Sequence, residues 1–301
     1  DTSLTPEGKL LNPEQRWGGI MRQLTTTDFE SSNIEYIEFW MLDPFIYNPN
    51  ASGGDFYINL GEVSEDVLKD GKKFYENGMS VTEQNNNGYA ETQWGRVPTA
   101  ASLVYAFDNT ATNRPKQDVG LNGLSSEEEL LYPTMIYLAD VRGLVSEEVY
   151  SQFEADPAGD TYHYYRGDDY DEQQLSILER YKRFNNTEGN SPSSDNTGGY
   201  DKSAKTTPDV EDINQDYTLD EYEKYFEYRI SLRPQDMAVG RNHITDMRTY
   251  RTKLRNGNTE SVNWYKFRVP IAGYEKVVGG MRDFTSIRFM RIYMTGFSEP
   301  I

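Results

Sequence analysis

The sequence of 301 residues contains no cysteine. Disulfide bonds, thiolate metal sites and cysteine nucleophiles are therefore all excluded. Basic residues are also scarce: 30 Lys and Arg stand against 49 Asp and Glu, which gives a net charge of −19. This balance argues against a nucleic-acid-binding protein, because phosphate contacts need a clustered positive surface, and it disfavours docking on anionic lipid.

Long apolar runs and targeting signals are missing as well. No stretch approaches the ~20 consecutive apolar residues that a membrane-spanning helix needs. No basic segment precedes an apolar one in the manner of a signal peptide. The sequence opens at Asp1 without a Met, and we interpret it as a piece of a longer protein.

Residues that would indicate catalysis are few. The only histidines are His163 and His243, and without an HExxH motif we interpret both as ordinary polar residues. No GxSxG, P-loop or GxGxxG motif is present. With 49 acidic residues, a pair of carboxylates does not by itself indicate a glycoside hydrolase. We therefore predict no catalytic residue and no enzymatic activity.

Strand patterns occur near the amino terminus. Residues 34–40 are rich in β-branched and aromatic side chains, which favour strands. Phe56, Ile58 and Leu60 alternate with polar residues, as in a strand with one buried face. A loop of turn-forming residues at 48–54 lies between the two, so we predict a hairpin.

The same patterns return near the carboxyl terminus. Tyr265, Phe267 and Val269 share one face of a predicted strand, and residues 286–294 form a second strand. We therefore predict a mainly β protein with an α insertion, in which residues 1–90 and 256–301 form an antiparallel, jelly-roll-like β-sandwich.

Residues 91–255 are predicted to form a helical and loop-rich insertion. Helix-start patterns occur near residues 126 and 146, and helical spacing runs over 171–184. A polar tract rich in Gly, Ser and Asn at 185–207 is predicted to be a mobile loop.

One segment of the insertion, residues 212–223, has the spacing of a calcium-binding loop. Oxygen-bearing side chains fall at loop positions 1, 3, 5, 7 and 9, and a glutamate falls at position 12. Calcium prefers six to eight oxygen ligands, and a glutamate at position 12 can supply two of them. The predicted ligands are Asp212, Asn214, Asp216, Thr218, Asp220 and Glu223.

One residue departs from the calcium-loop pattern. Position 6 is Tyr217, where such loops usually have a glycine for a sharp turn. In the calcium-loop interpretation, the residues after the loop, up to Leu232, are predicted to form the exiting helix. The alternative interpretation is a solvated helix start, in which Asp220 and Glu221 complement the helix dipole. Any calcium ion here is expected to have a structural role.

Aromatic residues are abundant, with 23 tyrosines. Tyr57, Trp264 and the cluster at 162–165 are candidates for stacking on sugars or contacting partner proteins, since Tyr and Trp are favoured anchors of interfaces. The alternative is that they cover the sandwich and the insertion.

Several long strings of the sequence resemble the SprA/Sov family, the outer-membrane translocon protein of the type IX secretion system of Bacteroidetes, which is also associated with gliding motility. They include TPEGKL at 5–10 and RWGGIMR at 16–22. The other strings lie at 24–29, 34–45, 54–61, 212–223 and 284–291.

The resemblance implies a domain of a very large outer-membrane secretion protein, with other translocon subunits and secreted cargo proteins as partners. It implies no particular functional residue. We expect this fragment not to span the membrane, although the parent chain would, and we favour the extracellular over the periplasmic face because millimolar calcium suits a weak loop. The alternative function is a cell-surface carbohydrate-binding module with a structural calcium, by analogy of fold alone.

Overall fold

The computed structural model of the protein describes residues 4–75, 88–93, 95–99, 110, 112, 120–132, 137–160, 168–181 and 210–299. The chain divides into two compact units. The β unit comprises Leu11–Ser64 and Tyr222–Ile301, and the loop-rich unit comprises Asp1–Leu10 and Glu65–Glu221. Residues 11–64 thus share one unit with the carboxyl-terminal segment, and the first ten residues share the other unit with the middle of the chain.

The strands and helices of the described residues follow in chain order. The strands are β1 (Trp17–Gln23), β2 (Tyr36–Leu42), β3 (Gly54–Glu62), β4 (Tyr89–Thr92), β5 (Gly95–Pro98), β6 (Lys224–Leu232), β7 (Ile244–Lys253), β8 (Thr259–Pro270), β9 (Lys276–Val277) and β10 (Phe289–Thr295). The helices are α1 (Ser126–Glu129), α2 (Tyr137–Arg142), α3 (Glu147–Ala155), α4 (Asp168–Glu172) and α5 (Ile177–Tyr181).

Two antiparallel sheets build the β unit. One has the strand order β1-β10-β3-β6-β9, and the other has the order β2-β8-β7. Each sheet combines strands from both parts of the chain: β3 lies between the carboxyl-terminal strands β10 and β6, and β2 pairs with β8. The predicted fold class, mainly β with antiparallel sheets and helices outside them, is confirmed.

The main core lies between these two sheets. Phe39 of β2 stacks on Phe267 of β8 with ring centroids 4.9 Å apart, and it also approaches Phe56 of β3 in the opposite sheet at 5.9 Å. The predicted inward residues are buried at both ends of the chain: Ile58 and Leu60 in β3, and Phe267 and Val269 in β8. Asn59 of β3, which the alternation places on the exposed face, is also fully buried. Period-2 patterning therefore assigns the inward faces, because each strand has one face on the core.

The predicted exiting helix up to Leu232 is wrong, because this segment is strand β6. Phe226, Tyr228, Ile230 and Leu232 are all buried and alternate with partly or fully exposed residues. This alternation has the period of a strand, and pairing with β3 over nine residues satisfies the backbone.

The predicted hairpin around residues 48–54 is also wrong. β2 pairs with β8, whereas β3 belongs to the other sheet, so the loop carries the chain from one sheet to the other. Gly53 has a φ of +69°, and a Cβ at this position would lie 2.0 Å from the carbonyl oxygen of Leu232. Glycine is therefore required where the chain enters β3.

The loop-rich unit has short helices and a small apolar cluster. Leu138, Val141 and Tyr150 are buried together where α2 meets α3. The predicted helix over 171–184 is interrupted, since Gln174 has a φ of +52° between α4 and α5. The tract at 185–207, predicted to be mobile, lies outside the described residues, and β6 and β7 fall inside the range predicted as the insertion.

We predict that Phe267→Ala lowers the free energy of unfolding of the β unit by about 3–5 kcal/mol, because the fully buried ring leaves a cavity between the sheets. Urea denaturation followed by circular dichroism measures the change. Thr252→Ala, at an exposed position of β7, is the control and should change stability by less than about 0.5 kcal/mol. A similar small loss for Phe267→Ala would contradict this packing of the core.

Candidate functional site

The predicted calcium loop folds around its first carboxylate. The Asp212 side chain is 1% exposed, and its Oδ1 accepts a hydrogen bond from the Asp216 N–H at 3.0 Å. Its Oδ2 accepts one from the Tyr217 N–H at 3.1 Å. Backbone amides at positions 5 and 6 thus turn towards position 1, and the segment forms a loop there rather than a helix start.

Tyr217 does not prevent the sharp turn that glycine usually makes. It has a φ of +68°, in the left-handed region, and its side chain is 57% exposed. A left-handed conformation costs a non-glycine residue roughly 1–2 kcal/mol, which the bonds to Asp212 can offset. Tyrosine in place of glycine at position 6 therefore keeps the turn, at the cost of a strained backbone conformation.

The side chains at positions 3, 5, 7 and 9 are joined by hydrogen bonds. The Asn214 amide donates to Asp216 Oδ2 at 3.0 Å and to Asp220 Oδ2 at 3.2 Å. The Thr218 hydroxyl donates to Asp216 Oδ1 at 2.6 Å, and this bond is the main cause that lowers the pKa of Asp216. Five of the six predicted ligands therefore lie in one connected group.

The sixth predicted ligand, Glu223, is engaged elsewhere. It belongs to the β unit, where Arg291 binds both of its carboxylate oxygens at 2.8 and 3.0 Å. The Ser64 N–H also donates to Glu223 Oε1. These bonds occupy the two oxygens that a calcium ligand at position 12 would supply.

Glu65 holds the loop closed, although the sequence analysis did not identify it. Its carboxylate is fully buried and accepts hydrogen bonds from the N–H groups of Ile213 at 2.7 Å, Asn214 at 3.3 Å and Asp220 at 3.3 Å. Burial raises the pKa of Glu65, and the backbone hydrogen bonds oppose that rise. The residue shares no local pattern with the loop, so its role follows only from the tertiary structure.

A buried ion pair joins the loop to the segment after β3. The ammonium group of Lys73 lies 2.9 Å from Asp212 Oδ2, and the two side chains are 6% and 1% exposed. Next to it, Glu211 accepts hydrogen bonds from the Val67 and Phe74 N–H groups. Residues more than 130 positions apart are thereby tied together by carboxylates.

A second carboxylate cluster lies between α1 and the segment after α3. Glu129, Asp156 and Asp160 form the only group of three possible metal-ligating side chains, among the residues that the structure describes, whose ligand oxygens all lie within 4.8 Å. Asn122 donates to Glu129 Oε1 at 2.6 Å, and the Leu121 N–H donates to Asp160 Oδ2 at 3.1 Å.

The protonation of this second cluster is perturbed. Burial, and then the charge of Asp160, raise the pKa of Glu129 to about 7. Burial and the charge of Asp156 raise the pKa of Asp160 to about 6, against backbone hydrogen bonds that lower it. The cluster therefore changes its charge near neutral pH, which sequence spacing did not reveal.

The two aromatic residues singled out in the sequence lie on different sheets. Tyr57, on the outer face of β3, stacks on Tyr293 with centroids 4.6 Å apart. Trp264, on the outer face of β8, lines a small cavity with Trp40, Arg248 and Tyr250. The two residues therefore form no common row. The cluster at 162–165, with His163, lies outside the described residues.

The described parts of the chain contain no helix that is long and apolar enough to cross a membrane. His243 lies in an exposed turn before β7 with a φ of +64°.

Together these features define the structural class of the protein: an antiparallel β-sandwich and a loop-rich unit in which buried carboxylates hold the loops. Comparison with known families then identifies the family within this class. The model of the SprA_N family, described as a motility related/secretion protein, matches residues 136–301. The match covers more than half of the chain, so the chain belongs to this family, which connects it with secretion and motility. A search of curated proteins finds no match.

We predict that the second cluster makes stability fall as the pH rises. The folded pKa values of Glu129 and Asp160, about 7 and about 6, lie above their ordinary values of 4.5 and 3.8. Between the ordinary and the raised pKa values, the folded state therefore binds more protons than the unfolded state. The contribution is complete at about pH 4 and is lost by about pH 7. Glu129→Gln should therefore match the wild type at about pH 4 and exceed it by roughly 3 kcal/mol at pH 8.

Urea denaturation of both proteins across this pH range provides the measurement. Glu154→Gln, an exposed position of α3, is the matched control and should follow the wild-type curve at every pH. Parallel curves for wild type and Glu129→Gln would show that Glu129 is not held with a raised pKa.

Proposed function

We propose that the chain is a non-enzymatic domain of a large outer-membrane secretion translocon, of the type IX and gliding-associated kind, in which it caps the conduit or docks partner subunits and cargo. Its membership of a secretion and motility family supports this function. We place the domain at the outer membrane, on the extracellular face. The docking role is supported mainly by the aromatic and cationic outer surface of the smaller sheet, β2-β8-β7.

That surface has the composition of a protein interface. Trp40, Trp264 and Tyr250 are between 38% and 52% exposed on neighbouring strands. The guanidinium of Arg248 lies 5.1 Å from the Trp40 ring centroid, and that of Arg268 lies 3.8 Å from the ring centroid of Tyr36. Trp, Tyr and Arg are the residues most enriched at the energetic centres of interfaces.

The buried carboxylates support a structural rather than a catalytic role. Glu65 and Glu211 use both of their oxygens to accept backbone N–H groups, and Asp212 combines such bonds with an ion pair. A general base needs an oxygen that can reach a substrate proton. These carboxylates are instead committed to holding loops.

We also propose that residues 212–220 bind calcium, with a structural role. Asp212, Asn214, Asp216, Thr218 and Asp220 supply oxygen atoms in one connected group. A calcium ion would neutralise these carboxylates as Lys73 now does in part. Glu223 is not expected to contribute, because Arg291 binds it.

We predict that calcium at tenfold excess over its Kd stabilises the wild-type chain by about 1.4 kcal/mol, which raises Tm by roughly 2–4 °C. Asp216→Ala should abolish both the calorimetric heat and this shift, because it removes the central oxygen donor of the loop. Glu223→Gln is the matched control and should keep both. An unchanged response of Asp216→Ala, or no heat with the wild type, would contradict the site.

We predict that in-frame deletion of this region from the parent gene blocks release of secreted cargo and leaves the truncated parent protein in the outer-membrane fraction. The physical reason is that the translocon would lose a docking surface and not its membrane anchorage. Immunoblots of cell fractions and of culture medium provide the measurement. Normal secretion by cells that contain the truncated protein would overturn the proposed function.

A further inference from the structure

Strand β7 forms an open edge of the smaller sheet. In the order β2-β8-β7, β7 pairs with β8 along one side, and no described strand pairs with its other side. Every residue of β7 after Ile244 is exposed, over a length of ten residues. Such an edge carries backbone donors and acceptors that can pair with another extended chain.

The hairpin that contains this edge is basic, although the protein as a whole is acidic. Between residues 241 and 268 there are seven Arg or Lys and two acidic residues, whereas the chain carries a net charge of −19. Arg251 and Lys253 are exposed on β7 itself, and Arg255 follows in the turn. Lys266 and Arg268 lie on β8 and pair with Glu38 of β2. The positive charge of the edge and the tip therefore comes from Arg248, Arg251, Lys253 and Arg255.

A small cavity lies beside the edge. It has a volume of about 220 Å³ and is lined by Trp40, Arg248, Tyr250 and Trp264. Arg248 and Tyr250 belong to β7 and alternate along it, so they lie on the same face of the strand. An added strand could place one side chain over this cavity while its backbone pairs with β7.

We propose that an acidic, extended segment of a partner protein binds along β7 as a fourth strand of the smaller sheet. Main-chain hydrogen bonds to β7 provide affinity, the carboxylates of the segment meet Arg251 and Lys253, and one side chain enters the cavity. This inference rests on the proposed docking function and specifies the chemistry of the partner.

Charge complementarity selects this occupant over a second copy of the chain. Residues 244–255 hold four Arg or Lys and one acidic residue, so two β7 edges would each bring a net charge of +3 to a shared edge, and like charges would oppose their pairing. Charged residues on an edge strand are a common protection against self-association. The same cations attract a strand that carries carboxylates. Because they also oppose self-pairing, the backbone edge of β7 remains available to such a strand.

The test uses the complete 301-residue chain and a fluorescent ten-residue peptide that alternates Glu or Asp with Val or Thr. We expect the peptide to bind, to bind more weakly at high salt, and to protect the amides of residues 245–253 from hydrogen exchange. Arg251→Glu/Lys253→Glu should weaken binding by at least about tenfold. Arg16→Glu/Arg22→Glu, which makes the same charge change at the exposed β1 edge, should leave binding unchanged.

Two further probes separate strand pairing from charge alone. The same acidic peptide with alternate amides N-methylated keeps its charge but loses the donors that pair with a strand edge, so it should not bind. A peptide with Lys in place of each acidic residue should not bind either. Equal binding by the N-methylated peptide would overturn strand addition.

Other outcomes would also overturn the proposal. These are no peptide binding, binding that survives the β7 charge reversal, preferential binding to phosphatidylglycerol vesicles through the same cations, and self-association that the charge reversal abolishes. The secretion experiment is scored separately. Blocked secretion together with no peptide binding would reject this inference and leave the proposed function standing.

Discussion

The structure depends on the pairing of β3 on both sides. β3 lies between β10 and β6, so an amino-terminal strand is held by two strands from the last third of the chain. Glu62 at the end of β3 lies opposite Lys224 at the start of β6, so the two ends of the segment 63–223 are held close together. Loop-closure entropy rises only with the logarithm of length, so a long excursion costs little more than a short one.

The described residues of the loop-rich unit bury few apolar side chains, and buried carboxylates hold its segments together as well. Glu65, Glu211 and Asp212 each accept hydrogen bonds from backbone N–H groups, and several of these bonds join segments far apart in the chain. Hydrogen bonds to charged acceptors contribute about 1.5–3 kcal/mol each, which offsets the cost of burying the charge. In a chain without cysteine, such bonds supply the cross-links that disulfides give to other loop-rich proteins.

The sequence predicted the structure correctly where a residue pattern corresponds to a single local structure. The alternation in β3 and β8 predicted their buried faces, and helix α3 begins where Ser146 predicts a cap. The same rule would have identified β6, but the residues after the predicted calcium loop were interpreted as its exiting helix. The neighbours of β2 could not be read locally, since sheet membership depends on which strands lie opposite each other in the core.

At the candidate site, too, local patterns predicted the loop but not the tertiary contacts that it makes. The spacing of residues 212–220 predicted a loop of oxygen donors, and the structure brings five of the six named side chains together. It did not predict Glu65 or Lys73, because both contact the loop from a segment about 140 positions earlier. Nor could spacing show that Arg291 binds Glu223, since that pairing depends on the antiparallel sheet.

The distribution of charge explains why two exposed edges of the sandwich differ in what they can bind. Edge strand β1 exposes Trp17 and Ile20, which are 70% and 74% exposed, and Arg22 is its only charged residue. An edge with a single charge offers little selectivity by charge. β7 carries cations along its length and an aromatic cavity beside it, so it repels a copy of itself and attracts an acidic strand. A protein with a net charge of −19 that concentrates cations on one open edge has the arrangement expected for selective strand addition.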